Sequence, residues 1–145
     1  MSAVDVPTDH SGLRVMSTSE CLERLASAGI GRVAFVRAAE VVLLPVHHVV
    51  HGVDVYFRTS GASKIEVAAD HGAVGFEVDD YDPGTVTGWS VSLSGTATLV
   101  DDDDDDLVRA LVHLDATPWP VGDATDSVWV RIRPDEISGR ELLPR

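Results

Sequence analysis

The stretch FRTSGASK, residues 57–64, gathers more binding chemistry than any other part of this chain. Arg58 ends a run that reads as a strand, Thr59 and Ser60 supply hydroxyls, and Gly61 allows close backbone approach. Ser63 and Lys64 then open a short helix, and Lys64 is the only lysine in the sequence. Free N–H groups at a helix start, hydroxyls, a guanidinium and an ammonium together suit a dianionic phosphate. The same residues also fit a plainer reading, a capped helix whose basic side chains are solvated.

Other candidates carry less chemistry. His47, His48 and His51 fall on one predicted strand, with His47 and His51 on the same face and His48 on the other. At ~3.3 Å per residue, His47 and His51 stand about 13 Å apart, too far to share one metal. The six-aspartate run Asp101 to Asp106 lacks the glycine and alternating spacing of a calcium loop. It immediately precedes a predicted helix, where negative charge complements the N-terminal partial positive charge, so a solvated helix start is expected and no metal site. The chain has no GxSxG elbow, Walker loop, GxGxxG or CxxC. No catalytic residue can be assigned, and enzymatic chemistry here would belong to a bound cofactor.

The bulk properties narrow the setting. With 145 residues, 44% hydrophobic and 24% charged, the chain fits one domain with a real core. A net charge of −13 opposes binding to nucleic acid and to anionic membranes. The N-terminus has neither a basic start nor an apolar core region, so no signal peptide is read. VVLLPV, residues 41–46, is too short to span a bilayer. The single cysteine, Cys21, suits a reducing cytoplasm and lies on the apolar stripe of a helix, which predicts packing rather than reactivity.

The pattern of elements must position these residues. Residues 1–16 read as a flexible arm, followed by a single domain over 17–145. STSECLERLASAGIG opens with capping-box spacing, Ser17 to Glu20, and reads as a helix with Cys21, Leu22, Leu25 and Ala26 on one stripe. GRVAFVR, VVLLPVHHVV and VDVYFRT form an antiparallel meander, with Pro45 at a bulge or sheet edge. ASKIEVAAD reads as a short helix, AVGFEVD as a strand and DYDPGTVTG as a loop. WSVSLSGTATLV alternates strictly, with Trp89, Val91, Leu93, Gly95, Ala97 and Leu99 predicted to face a core. DDLVRALVHL reads as a helix. SVWVRIRP closes as a strand, with Val128, Val130 and Ile132 on one side and Trp129, Arg131 and Arg133 on the other. These strands, with two to three short helices, predict a mainly β, α+β fold: a six-stranded antiparallel barrel, closed or partly closed.

GRVAFV, LPVHHVV, VYFRTSGASK, VGFEVDDYDPGTVTGWSVSLSGTA and WVRIRPDEISGRE occur in the order and spacing of a known family. Over roughly Ser17 to Glu141 the chain resembles the small pyridoxamine 5′-phosphate oxidase-like flavoproteins of the split-barrel type. The resemblance implies a six-stranded split β-barrel and a homodimer with two FMN molecules at the subunit interface. By position, it implies that Arg58, Thr59, Ser63 and Lys64 cradle the FMN phosphate. It places Pro45, Val46, His47 and His48 along the flavin ring, with Trp89, Ser90 and Val91 approaching near the interface. Trp129 and Arg131 would reach a cofactor site from the C-terminal strand. VVLLPVHH departs from the basic segment of true pyridoxamine phosphate oxidases, so the expectation is an FMN-dependent oxidoreductase acting on another small organic molecule. A deazaflavin-dependent reductase and a non-catalytic flavin- or haem-binding protein are the alternatives.

Overall fold

A computed structural model describes residues 6–60, 68, 70, 72–112 and 127–144. Among these lie β1 (Arg14–Val15), α1 (Thr18–Ser27), β2 (Ile30–Arg37), β3 (Glu40–His51) and β4 (Asp54–Ser60). They continue with β5 (Ala73–Asp82), β6 (Thr87–Val100), α2 (Asp105–Leu111) and β7 (Ser127–Leu142). The sheet runs β1-β7-β4-β3-β2-β5-β6, and β6 pairs back onto β7. The six strands β2 to β7 therefore close a ring, and the two-residue β1 adds a seventh strand outside it. This is the mainly β barrel the sequence predicted, with every pairing antiparallel.

The interior follows from alternation. Val33 and Phe35, Val46, Val55 and Phe57, Val74, Phe76 and Val78, Val91, Leu93 and Ala97, Val130 and Ile132 form one buried cluster. Leu99 extends that row but reaches the barrel end, where it is 43% exposed. Helix α1 closes one end, its capping box intact and its Cys21 and Leu25 fully buried. Burial raises the Cys21 thiol above its ordinary pKa, so it packs rather than reacts. Helix α2 covers the outer wall, where Leu107 and Ala110 pack on Tyr56. Its N-cap is Asp104, whose carboxylate accepts from the Leu107 N–H, and Asp105 and Asp106 occupy the first turn. The aspartate run is thus a helix start, as its position suggested.

Three segments differ from their sequence reading. Strand β7 runs on through DEISGREL to Leu142, because its second half pairs with β6 across a bulge opposite Ser94 and Gly95. Strands β5 and β6 reach further into DYDPGTVTG, leaving only residues 83–86 as the turn. Residues 6–16, read as an arm, are fastened to β7: the Met16 N–H donates to the Gly139 carbonyl, and Arg140 pairs with Asp9. The short helix read over ASKIEVAAD, and the last residues of DDLVRALVHL, lie outside the described residues apart from Ala68 and Asp70.

Candidate functional site

The barrel is open along one seam, between β3 and β4. The two strands pair from His51↔Asp54 to His48↔Phe57 and then stop, although β3 continues back to Glu40 and β4 on to Ser60. Pro45 lies in this separated stretch, which explains how a strand otherwise paired with β2 accommodates it: its other edge carries no partner strand among the described residues. The backbone there has a definite orientation. The His48 N–H donates to the Gly29 carbonyl on the β2 side. By alternation the Val46 N–H turns the same way, and the His47 N–H turns toward the seam.

Side-chain parity divides the candidates into two sets. Pro45, His47, Arg58, Ser90, Trp129 and Arg131 face outward, whereas Val46, His48, Thr59, Trp89 and Val91 face the interior or its rim. The outward set follows the strand register. Arg58 pairs with Trp129, and the β3–β4 register, extended one pair, sets His47 across the seam from Arg58. On its other side His47 pairs with Ile30. Extending the β2–β5 register two pairs leads from Ile30 to Asp79, which pairs with Ser90. One transverse row on the outer wall therefore carries Trp129, Arg58, His47 and Ser90. Ser63 and Lys64 lie outside the described residues.

Arg58 is oriented by a partner that sequence spacing does not reveal. Its Nε donates to the Ser127 Oγ at 2.6 Å, and Ser127 pairs with Ser60. The contact spans 69 positions and exists only because β4 pairs with β7. Arg131, two residues beyond Trp129, lies across from Tyr56. Burial pushes the Tyr56 hydroxyl up, while Arg131 pulls it down. Trp129 packs against the Tyr56, Leu107 and Ala110 cluster.

The inward set has other work. Thr59 and Val91 are buried, Val91 completely. Trp89 packs at the edge of the core, with the Arg24 guanidinium 5.2 Å from its ring centre, and lines a groove of about 380 Å³ shared with Asp80 and Glu141. His48 is 3% exposed, stacks edge-on to Phe76 and donates from Nε2 to the Leu25 carbonyl at 2.8 Å. Its role is to tie α1 to the barrel in the neutral form. Burial holds its pKa below 6.5. Unfolded His48 takes a proton below about pH 6.5 and the folded residue resists it, so stability falls as pH drops from 7 toward 5. In denaturant titrations, His48→Phe is expected to flatten that decline, and an unchanged slope would assign it to other groups.

A barrel of this kind, seamed on one side with donors and a cation along its outer wall, defines the split-barrel class. A profile of the pyridoxamine 5′-phosphate oxidase family matches residues 17–141, and the chain belongs to that family. It is 40% identical over 134 residues to the uncharacterized protein Rv0080 of Mycobacterium tuberculosis, a match covering 88% of this chain and 84% of that one. Among solved structures, the FAD binding protein of Mycobacterium smegmatis is 33% identical, with a TM-score of 0.70 over 89% of this chain and 99% of the other. A Corynebacterium glutamicum protein carrying the pyridoxamine 5′-phosphate oxidase name is 31% identical, with a TM-score of 0.72 over 99% of each chain.

Proposed function

We propose that this chain is a flavin-dependent oxidoreductase that binds FMN along the β3–β4 seam and acts on a small organic molecule. The observation that carries the reading is the seam itself, with the His47 N–H directed into it and Arg58 on the strand opposite. The donor set fits the group. Arg58, with Ser60 beside it, offers charge-assisted hydrogen bonds to a phosphate, and Ser63 and Lys64 follow in sequence. The His47 N–H offers a donor to a polar edge of the ring. A bound flavin supplies hydride or electron transfer, while the protein supplies binding, orientation and exclusion of water. Membership of the family and the likeness to an FAD binding protein support a flavin, and FAD is the alternative to FMN.

The outward placement of Pro45, His47, Arg58 and Ser90 also supports a homodimer with the cofactor between subunits. A ligand laid on the outside of a barrel wall is covered on one side only, and a second copy supplies the other wall. The exposed apolar residues Val36, Val41 and Leu43, on the same wall, are suited to such a contact. No described helix is long and apolar enough to cross a membrane.

The visible absorption spectrum of the purified protein tests this reading. Flavin bands released as FMN on denaturation are expected. A Soret band, or a protein that stays colourless after incubation with FMN and FAD, would overturn it.

A further inference from the structure

The other edge of β3, away from the seam, carries polar groups that the proposed flavin site does not use. His48 is buried, and its Nε2 donates to the Leu25 carbonyl at 2.8 Å. A carbonyl can only accept, so in the neutral ring Nε2 holds the proton and Nδ1 holds a lone pair. Nδ1 is itself buried and has no hydrogen-bond partner among the described residues. A buried acceptor left without a donor is costly. The strand backbone beside it offers two more groups. The His48 N–H donates to the Gly29 carbonyl, and by alternation the N–H and C=O of Val50 turn the same way. Strand β2 begins at Ile30, opposite His47, so Val50 has no partner strand on that side among the described residues.

His48 and Val50 line one cavity of about 320 Å³, between the end of α1, β3 and α2. That volume lies within the range of small-molecule sites. Other parts of its wall are short: Ala26, Ala28 and Gly29 at the end of α1 and just beyond it, and Ala110 from α2. The His47 ring lies against Gly29, where a Cβ would come 3.4 Å from its Nε2. No Asp, Glu, Arg or Lys lines the cavity, whereas the groove beside Trp89 is lined by Arg24, Asp80 and Glu141. An ionic ligand finds no counter-charge here. The C-terminal end of α1 adds partial negative charge, which favours N–H groups on a ligand. The polar set is therefore two acceptors, His48 Nδ1 and the Val50 carbonyl, and one donor, the Val50 N–H, among short and mostly apolar side chains.

We propose that this cavity binds a small neutral molecule in which two N–H groups flank one carbonyl, the pattern of a cyclic urea. Its carbonyl accepts from the Val50 N–H, one N–H donates to the Val50 carbonyl, and the other donates to His48 Nδ1. The ligand then supplies the donor that the buried imidazole lacks, and its apolar ring rests on the short side chains. The site is independent of the flavin reading. His47 borders both places, through its backbone N–H at the seam and through its ring here.

Titration of the full chain with ethyleneurea, a five-membered cyclic urea, and with N,N′-dimethylethyleneurea tests this by nitrogen NMR. Saturable binding of ethyleneurea in the millimolar range is expected for so small a probe. The Val50 amide is expected to shift, and the His48 Nδ1 resonance to move upfield as it accepts a hydrogen bond. The dimethyl compound has no N–H and is expected to bind at least about tenfold more weakly, the loss of two hydrogen bonds. Ala26→Leu, at an exposed position of α1, is expected to fill the cavity and abolish binding without lowering the melting temperature. Absence of saturable shifts, equal binding of the two compounds, or binding undiminished in Ala26→Leu each overturns the inference. So do shifts that gather at Arg58 instead of Val50, and a Val50 shift with the His48 Nδ1 resonance unmoved. None of these results bears on the flavin reading.

Discussion

Gly95→Ala is expected to destabilise the fold by about 3 kcal/mol, at the upper end of what overpacking costs. Gly95 sits in β6 where the register with β7 shifts, between the pairs Ser94↔Glu136 and Gly95↔Pro134. A Cβ would lie 2.2 Å from the Arg133 carbonyl oxygen and 2.9 Å from its carbon, with the Pro134 Cα at 3.0 Å. All three are backbone atoms, so no side-chain rotation relieves the contact, and relief requires separating β6 from β7. That pair closes the ring. The contrast with Gly75 is informative, since an added methyl there meets only ordinary contacts. Urea midpoints are expected to drop sharply for Gly95→Ala and to change little for Gly75→Ala. Equal midpoints for the two variants would mean that the bulge adjusts freely.

Arg58→Ala is expected to weaken FMN binding by about 1.5–3 kcal/mol, the range for hydrogen bonds to charged groups, which corresponds to roughly ten- to hundredfold in affinity. The guanidinium is held at the seam by its bond to Ser127 Oγ, on a strand paired with β7 from Val55 to Ser60. Such anchoring limits the rotamer entropy lost when a phosphate binds. Ser127→Ala is expected to give a smaller loss, because it removes the brace and leaves the charge. Lys64→Ala is expected to match Arg58→Ala, as two cations on one phosphate would. Fluorescence titration with FMN measures all three, and affinity unchanged in Arg58→Ala would remove that residue from the site.

Much of the fold is legible in residue patterns because local rules and tertiary demands agree. The strict alternation of WSVSLSGTATLV reports a strand with one packed face, and the structure buries Val91, Leu93 and Ala97 as that pattern requires. Ser17 and Glu20 report the start of α1 through hydrogen bonds made within four residues. The far half of β7 has no such local signal, because PDEISGREL opens with proline and has weak alternation. Its strand character comes from pairing with β6 rather than from its own composition.

For the site, the sequence identifies residue types but not which side of the wall they occupy. Thr59 follows Arg58, yet one faces the interior and the other the outer wall. His47 and His48 divide in the same way, and His48 serves α1 through the Leu25 carbonyl, a partner 23 positions away. The seam has no local signature, because it consists of a pairing that ends while both strands continue. Ser127 likewise acquires its setting only from a neighbouring strand.

The central claim, a flavin held by its phosphate at the β3–β4 seam, is tested most directly by titrating the protein with FMN and with riboflavin, which lacks the phosphate. FMN is expected to bind with micromolar or better affinity, and riboflavin at least about tenfold more weakly, the loss of one charge-assisted contact or more. Equal affinities would contradict the phosphate anchor at Arg58, and no binding of FMN at all would contradict the flavin.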